Sequence, residues 1–344
     1  MLKPRQEINA LDRLTEFRDA VVGWFGEHGL DHPWRRTRDA YEVLVSEVML
    51  QQTQVATVLK NGAYGRFLEA FPDLESLAVA GDDELLKAWE GLGYYRRARM
   101  LRETARAVVE GHGGEFPREL AGLMALPGVG MYTAGALRAF AFREPAVLVD
   151  GNVVRVLARL MDFRDAVDGA AGQRVMWEWA GELADEGRPA AYHAGLMELG
   201  QRVCRRGVPD CPGCPVARFC GTRVPADLPV KKRKVAVTEV DEHALWVTDG
   251  AGRVLMQRET GKRRTGLWKL PVRDAGEVAG MPVVRESTYA ITRYRVRLKV
   301  HGVGPGGVWG ALREGEEWLD AEEVAGVAMA APFRKVVALL SAGD

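Results

Sequence analysis

Apolar residues recur at helical spacing through the first two thirds of the chain. From residue 10 to about 220 they follow one another at intervals of three and four positions, as they do between Leu11 and Phe25. Glycine and proline interrupt the pattern often, and these interruptions predict separate helices of about 8–18 residues each. The pattern therefore predicts an all-α domain over residues 1–222.

The pattern changes after Cys220. Residues 223–236 hold two prolines and a run of four basic residues, a composition typical of an extended, solvated linker. Beyond it, stretches of alternating apolar and polar residues, such as 294–300, predict strands, and 321–340 predicts a helix. We expect a small α+β domain over residues 237–344, so the chain is expected to have two domains.

Composition excludes several classes of protein. The chain has 344 residues, 47% of them hydrophobic, which excludes wholesale disorder. It contains no stretch of about 20 apolar residues that would span a bilayer. The N-terminal segment has charges scattered through it and lacks the apolar core of a secretory signal. We expect a soluble, cytoplasmic protein in a reducing compartment, with no membrane partner.

Net charge is zero, with 47 basic and 47 acidic side chains. Taken alone, this balance argues against a nucleic-acid-binding protein, whose domains usually carry a basic excess. The charges are segregated locally, however. Arg96–Arg106 has five arginines and one acidic residue, and Arg293–Lys299 has four basic residues and none that are acidic. Since DNA responds to the local field within about 10 Å, zero net charge does not exclude a DNA enzyme.

All four cysteines lie within residues 204–220, in the spacing C-x6-C-x2-C-x5-C. Clustered thiols in a reducing compartment indicate a metal centre rather than disulfides. Four thiolates suit either tetrahedral zinc or a [4Fe–4S] cluster, and the spacing leaves both open. Such a closed ligand set favours a structural role. The predicted ligands are Cys204, Cys211, Cys214 and Cys220.

Two carboxylates are candidates for catalysis. Glu47 lies among apolar residues of the helical stretch Tyr41–Gln54. A helical glutamate is usually solvated, but one that faces a cleft has a raised pKa and suits proton transfer. Asp150 ends an apolar run just before Gly151, where an N-cap is its commonest use. Two such groups brought together would suit cleavage of a glycosidic bond.

A Pro-Gly-Val-Gly turn at Leu126–Gly130 joins two helical stretches. Glycine lets backbone amides approach a ligand closely, and amides at the start of a helix bind anions. Gly128 and Gly130 are therefore candidates for phosphate contacts. An ordinary helix–helix turn is the alternative.

A second loop, Gly91–Arg99, places two aromatic residues before three arginines. This combination suits base stacking and phosphate contacts, although a solvated basic helix face is the alternative. The amides of Gln51 and Gln52, beside Glu47, are able to contact base edges or wedge into a stack.

Six ordered segments together resemble the MutY adenine DNA glycosylase family, within the helix-hairpin-helix superfamily. They are Pro33–Arg35, Ser46–Val55, Gly91–Tyr95, Leu126–Gly130, Val149–Arg159 and the four-cysteine loop. More faintly, the C-terminal part resembles the Nudix-like domain with which these enzymes inspect the opposite base. Residues 266–271 match it best.

The resemblance implies a monomeric base excision repair enzyme that acts on double-stranded DNA. It would flip out adenine mispaired with 8-oxoguanine or guanine and hydrolyse the N-glycosidic bond. Glu47 would protonate adenine N7, and Asp150 would stabilise the oxocarbenium ion. Tyr132 and Asn152 occupy the positions of further catalytic-pocket residues. The resemblance also implies a [4Fe–4S] cluster on the four cysteines.

The resemblance also implies a set of DNA-contacting residues. Trp34 and Arg35 would line the adenine pocket, and Gln52 and Tyr94 would wedge into the stack. The full predicted set is Trp34, Arg35, Leu50, Gln51, Gln52, Tyr94, Gly128, Gly130, Thr292 and Arg293.

Strand cleavage by a glycosylase of this type requires a lysine amine just after the hairpin. Tyr132 stands there, and residues 1–222 contain only Lys3, Lys60 and Lys87, none near the hairpin. We therefore predict a monofunctional glycosylase.

Two departures from the family pattern concern recognition. Ala194 stands where the family has a glutamine or glutamate that contacts adenine. Ile291-Thr292-Arg293 replaces the Phe-Ser-His that contacts 8-oxoguanine. A thymine or other mismatched-base glycosylase, or a non-catalytic DNA-damage binding protein, therefore remains an alternative. A Nudix hydrolase is excluded, because its G-x5-E-x7-R-E-x2-E-E signature does not occur after residue 236.

Overall fold

The computed structural model describes residues 9–60, 62–232, 236–261, 264–291, 293–303 and 310–342. Thr292 lies outside the described residues. The described chain forms two compact units. The first comprises residues up to 48 together with 110–232, and the second comprises 49–109 together with 236–342.

Helices make up most of the chain before residue 220. The α-helices of the described residues are α1 (Asn9–Asp12), α2 (Leu14–His28), α3 (Ala40–Leu50), α4 (Val55–Lys60), α5 (Ala63–Ala70), α6 (Leu74–Val79), α7 (Asp82–Ala88), α8 (Arg96–His112), α9 (Leu120–Ala125), α10 (Met131–Ala136), α11 (Gly151–Leu160), α12 (Ala170–Leu183), α13 (Pro189–Arg202), α14 (Ala321–Gly326) and α15 (Ala331–Ser341). Short 3-10 turns lie at Pro33–Arg35, Ala217–Phe219 and Pro225–Asp227. The predicted helical fold of this part is confirmed.

The core of the first unit forms around α11, which is buried from Val153 to Leu160. Helix α13 packs against both α11 and α2. Glycine permits this close approach: a Cβ on Gly200 would lie 2.7 Å from Asn152 Cβ. A Cβ on Gly195 would similarly lie 3.0 Å from Phe25 Cβ. Gly200 thus sets the distance of α13 from the N-terminal end of α11, and Gly195 sets its distance from α2.

The predicted helical hairpin is present between α9 and α10. Gly128 has a φ of +76°, in the left-handed region that favours glycine, and Gly130 is the N-cap of α10. The second helical stretch of the hairpin has two parts. The α-helix α10 ends at Ala136, and a π-helical turn continues the stretch over Leu137–Phe142. Tyr132 thereby lies in the first turn of α10.

The second unit combines α4–α7 and most of α8 with two sheets. Its strands are β1 (Thr238–Trp246), β2 (Val254–Arg258), β3 (Trp268–Lys269), β4 (Val272–Arg273), β5 (Val283–Ile291), β6 (Tyr294–Gly302) and β7 (Glu316–Leu319). One sheet has the order β4-β1-β6-β5, with β1 and β6 parallel, and the other has the order β3-β2-β7. The α+β nature of the C-terminal part is confirmed.

Two features of this part differ from the sequence prediction. The single helix predicted for 321–340 is two helices, α14 and α15, because the chain is extended at Val327 and at Ala330, after which Pro332 lies in the first turn of α15. Strand β5 is not apparent in the sequence because its residues are all exposed or half-buried and lack a buried apolar face. No helix in the described part of the chain has the length and apolarity to cross a bilayer.

Candidate active site

Glu47 lies in the last turn of α3 with only 7% of its surface exposed. Helix α3 is apolar on most sides, so its glutamate is carried into the interior of the first unit. Burial, aided by the nearby Asp150 and opposed by hydrogen bonding to Tyr132 and by the charge of Arg35, raises the pKa of Glu47 to about 7. At neutral pH the Glu47 carboxyl is therefore poised between its two protonation states.

Tyr132, in the first turn of α10, donates its hydroxyl to the Glu47 carboxylate. The hydroxyl oxygen also lies 3.8 Å from Met197 Sδ. Burial, with the neighbouring charges of Glu47 and Asp150, raises the pKa of Tyr132 well above its ordinary value, so the phenol stays neutral. The hairpin thus delivers a neutral hydrogen-bond donor to the buried carboxyl group.

Asp150 is the N-cap of α11. Its Oδ1 accepts hydrogen bonds from the backbone amides of Asn152 (2.9 Å) and Val153 (2.7 Å), and its Oδ2 accepts one from Asn152 Nδ2 at 2.7 Å. Burial raises the pKa of Asp150 despite these hydrogen bonds, which lower it. The capping role and proximity to Glu47 coexist, and the four predicted catalytic residues lie together.

Asn152 continues into a chain of hydrogen bonds. Its Oδ1 accepts from Arg155 Nη2 at 2.9 Å, and Arg155 Nε donates to the carbonyl oxygen of Cys204 at 2.7 Å. Arg159, one turn further along α11, donates to Cys204 Sγ at 3.3 Å. Buried arginines on α11 therefore connect Asp150 to the start of the cysteine loop.

Arg35 has a buried partner that sequence reasoning missed. Its Nη1 lies 2.5 Å from Oε2 of Glu198, whose side chain is 1% exposed. Glu198 also accepts a hydrogen bond from the backbone amide of Leu30 at 3.0 Å and pairs with Arg202 at 2.6 Å. Its only sequence signal is an acidic residue among apolar ones on α13. Beside Arg35, Trp34 is 9% exposed.

The predicted DNA-contacting residues of the second unit include two with unusual backbone. Gln52 has a φ of +56° and Tyr94 a φ of +46°, and both are exposed. Leu50 and Gln51 are half-buried at the end of α3. Arg293 is exposed, and its Nη2 donates to the hydroxyl oxygen of Tyr294 at 3.1 Å. In the first unit, Gly128 and Gly130 are exposed on the hairpin.

In both basic stretches several side chains pair with acidic residues, which weakens the positive field that the sequence suggests. Strand β6 pairs in parallel with β1, so Arg297 and Lys299 each lie 2.8 Å from Asp241, and Arg295 lies 3.4 Å from Glu239.

In the stretch Arg96–Arg106, Arg99 and Arg102 both pair with Asp82, at 3.2 and 2.6 Å. Arg106 pairs with Glu103 at 3.0 Å. Acidic partners, most of them distant in sequence, therefore neutralise much of the local charge that the sequence places in these two stretches.

The charges of the other three cysteines affect Cys214. Burial, together with the three other thiols, raises the pKa of Cys214 to about 11. Cys204 and Cys214 are half-buried, and Cys211 and Cys220 are exposed. In the part of the chain that the structure describes, no group of three or more cysteine, histidine or acidic side chains is arranged to hold a single metal ion. The ligand set therefore stays a prediction.

Known proteins of related sequence match the helical part of this chain. Residues 45–179 match the family model described as HhH-GPD superfamily base excision DNA repair protein. The adenine DNA glycosylase of Homo sapiens is 43% identical over 219 residues, covering 61% of this chain and 40% of the human protein. That of Mycolicibacterium smegmatis is 37% identical over 198 residues, covering 57% of this chain and 66% of the relative. The chain thus spans less than half the length of its human relative.

Solved structures share the fold of the helical part. A thermostable thymine-DNA glycosylase matches with a TM-score of 0.55 and 29% identity, covering 62% of this chain and 97% of that one. An endonuclease III trapped as a covalent intermediate with DNA matches with a TM-score of 0.52 and 26% identity, covering 61% and 95%. Over its helical part the chain is therefore similar to base excision DNA repair proteins of the HhH-GPD superfamily and to adenine DNA glycosylases, the family that its motifs resemble.

Proposed function

We propose that this chain is a monofunctional adenine DNA glycosylase that hydrolyses the N-glycosidic bond of mispaired adenine in double-stranded DNA. The observation that carries the proposal is the buried Glu47, which lies beside Tyr132 and Asp150 and has a pKa of about 7. The 43% identity to the human adenine DNA glycosylase supports the choice of adenine.

Glu47 is the proposed general acid. With a pKa of about 7, about half of the molecules hold a protonated Glu47 at neutral pH. Transfer of this proton to adenine N7 makes the purine a better leaving group, and the C1′–N9 electron pair departs with the base. The resulting Glu47 carboxylate then accepts a proton from the water that attacks C1′. Tyr132 donates to this carboxylate and fixes its orientation.

Asp150 is the proposed stabiliser of the positive charge that develops on the sugar. Two backbone amides and Asn152 Nδ2 hold its carboxylate in one orientation. A carboxylate near an oxocarbenium-like centre is the second member of the pair that glycosidic cleavage requires. Asn152 acts by holding Asp150 and contacting Arg155.

Recognition is proposed for residues of both units. Trp34 and Arg35 line the adenine pocket, with Glu198 holding the Arg35 guanidinium. The exposed glycines of the hairpin bind a phosphate of the DNA backbone. The residues proposed to enter or flank the base stack are Leu50, Gln51, Gln52 and Tyr94.

We propose that residues 1–222 form the glycosylase domain, 223–236 a linker, and 237–344 a Nudix-like domain that inspects the opposite base. The onset of strands at Thr238 supports this boundary. Helices between residues 49 and 109 share a compact unit with that C-terminal part. Arg293 and Thr292 are the proposed contacts to the opposite base.

The four cysteines are proposed to hold a [4Fe–4S] cluster. Four thiols in one short loop form a donor set of the right chemistry, and the N–H that Arg159 directs at Cys204 Sγ suits a cluster ligand. The cluster would order the cysteine loop for contact with DNA. An absorbance band at about 400 nm in the purified protein would support it, whereas colourless protein containing zinc would contradict it.

The proposed lack of strand cleavage rests on Tyr132 at the position where a lyase has its lysine. Borohydride treatment during turnover should trap no enzyme–DNA adduct, because no amine near the hairpin is available to form a Schiff base. A stable trapped adduct would contradict monofunctional action.

The test of the function is base release under single-turnover conditions. Duplexes with adenine opposite 8-oxoguanine, adenine opposite guanine and thymine opposite guanine should be compared. We expect release of adenine and none of thymine. Release of thymine alone would favour the second candidate, a thymine mismatch glycosylase. This candidate is considered because the match covers 97% of the thymine-DNA glycosylase structure. Binding without release would indicate a damage-binding protein.

A further inference from the structure

Two exposed turns of the second unit contain non-glycine residues in the left-handed backbone region. Gln52 has a φ of +56°, and Tyr94, whose surface is 51% exposed, has a φ of +46°. Residues with side chains adopt this conformation rarely, and a bulky residue keeps it only where its surroundings enforce it. Some feature of the fold must therefore hold both turns.

Arg97, in the first turn of α8, holds the turn that carries Gln52. Its Nη1 donates to the carbonyl oxygens of Met49, at 2.9 Å, and Gln51. Its Nη2 donates to Thr53 Oγ1 at 3.0 Å. These acceptors lie on both sides of Gln52 in the chain, so the Arg97 guanidinium fixes the backbone before and after the left-handed residue.

The same guanidinium holds the turn that carries Tyr94. Arg97 Nη2 donates to the carbonyl oxygens of Leu92, at 2.9 Å, and Gly93, at 3.1 Å. The guanidinium carbon lies 5.7 Å from the centroid of the Tyr94 ring and 5.4 Å from that of Trp89. One side chain thus connects five acceptors in two turns that are about 40 residues apart in sequence.

Only arginine has the donor geometry for this arrangement. Its planar guanidinium presents five N–H donors in a fixed fork, whereas lysine presents three donors from a single point. Burial lowers the pKa of Arg97 to about 10, so the side chain stays charged at neutral pH. A positive charge strengthens each hydrogen bond to a carbonyl oxygen.

We propose that Arg97 is a positioning residue that presets the Gln52 and Tyr94 turns, so that the amide and the ring enter the DNA stack together as adenine leaves it. This inference rests on the proposed function and deepens it. A wedge already in place loses no freedom on binding, and the binding free energy goes into opening the base pair.

The test compares Arg97→Lys with Arg106→Lys in the full chain. Arg106 lies on the same helix and donates from Nε to the carbonyl oxygen of Ala78 at 2.6 Å, but it contacts neither turn in the described structure. One duplex has adenine opposite guanine. The other has adenine opposite an abasic site, where no pairing resists opening. Thermal unfolding of each variant reports on general loss of stability.

We expect Arg97→Lys to slow single-turnover release from the paired duplex by about tenfold or more, since a misplaced group far from the chemistry can cost that much. Release from the abasic duplex should fall by less than about threefold, because the wedge is not needed there. Arg106→Lys should affect the rate of release from both duplexes equally. If Arg97→Lys slows both duplexes equally, or matches Arg106→Lys, the inference is wrong.

A second variant covers the case in which Arg97→Lys does not fold. Thr53→Val removes one acceptor of Arg97. It should slow adenine release from the paired duplex more than from the abasic duplex, as Arg97→Lys does, but by a smaller factor. Equal slowing of release from both duplexes would overturn the inference. If the wild-type protein releases adenine from neither duplex, the proposed function fails. Fluorescence of 2-aminopurine beside the target then tests Arg97 separately. A smaller rise in 2-aminopurine fluorescence on binding of Arg97→Lys than on binding of the wild type supports the inference, and an equal rise overturns it.

Discussion

At the scale of single residues, the site contains two buried glutamates whose partners give them opposite behaviour. Burial raises the pKa of both, but hydrogen bonds from Arg35 and Arg202 outweigh burial at Glu198, so its pKa is lowered. Glu47 has a neutral phenol as its hydrogen-bond partner and a carboxylate as neighbour, and its pKa rises to about 7. Glu198 therefore stays a charged anchor, while Glu47 is able to exchange a proton near neutral pH.

The rate of adenine release should depend on the protonation of Glu47. Above pH 7 the protonated fraction falls about tenfold per pH unit, so the single-turnover rate should fall in proportion. Glu47→Gln and Asp150→Asn should each nearly abolish release at every pH while leaving DNA binding intact. A rate that stays level from pH 6 to about 9 would contradict the role of Glu47 as the acid.

The same group should affect stability. The pKa of Glu47 is about 7 in the folded chain against 4.5 for an ordinary glutamate, so folding favours its protonated form. That stabilisation is complete below about pH 4.5 and is lost as pH rises through 7. Relative to Glu47→Gln, the wild type should lose on the order of 3 kcal/mol of unfolding free energy across this range. Urea unfolding at several pH values measures the difference, and parallel curves for the two proteins would contradict it.

At the scale of elements, the positions of the proposed catalytic residues depend on how closely helices approach one another. The N-terminal end of α11 carries Asp150 and Asn152, and Gly200 of α13 lies directly against Asn152. The hairpin sets the start of α10 and hence the place of Tyr132. Packing distances between helices, rather than flexible loops, position these residues.

Gly200→Ala should displace the start of α11, because the new Cβ would lie 2.7 Å from Asn152 Cβ. We expect a loss of about 1–3 kcal/mol of unfolding free energy, together with slower adenine release. Gly23→Ala is the matched control, since its Cβ would meet nothing within 4 Å and alanine favours a helix. Urea unfolding and single-turnover rates measure both effects. Equal behaviour of the two variants would show that this contact does not position α11.

At the scale of the whole molecule, the sequence-distant parts of the second unit share a polar junction at Glu90. Its carboxylate contacts Arg334 Nε at 2.8 Å, Lys87 Nζ at 2.9 Å and the backbone amide of Met329 at 3.2 Å. Asp83 also pairs with Arg258. These contacts attach the C-terminal part of the unit to the helices between residues 49 and 109.

Glu90→Ala should weaken this attachment. Removing a half-buried carboxylate with three partners should cost about 1–2 kcal/mol of unfolding free energy, because Arg334 and the Met329 amide lose their acceptor. Glu84→Ala, at an exposed position of α7, is the matched control and should change stability by less than about 0.5 kcal/mol. The ratio of release rates opposite 8-oxoguanine and guanine should also fall for Glu90→Ala alone. An unchanged ratio would separate this junction from recognition of the opposite base.

Much of this organisation is predictable from local sequence. Helical spacing predicts the helices, because each helix buries one face and its apolar residues follow that face. The Pro-Gly-Val-Gly turn predicts the hairpin because the φ of +76° at Gly128 favours glycine. Strand β5 is not predictable in this way, since its half-exposed residues lack the alternating buried face that identifies a strand.

The sequence by itself determined the helical fold, the C-terminal α+β part, the clustering of cysteines and the motifs of the family, because these depend on residue order and local backbone preference. Only the tertiary structure decided how the charged groups behave. Burial raised the pKa of Glu47 to about 7, and parallel pairing of β1 with β6 neutralised Arg297 with Asp241. It also made Arg97 the link between two turns. Protonation and charge pairing depend on neighbours that are distant in sequence, and only folding brings those neighbours together.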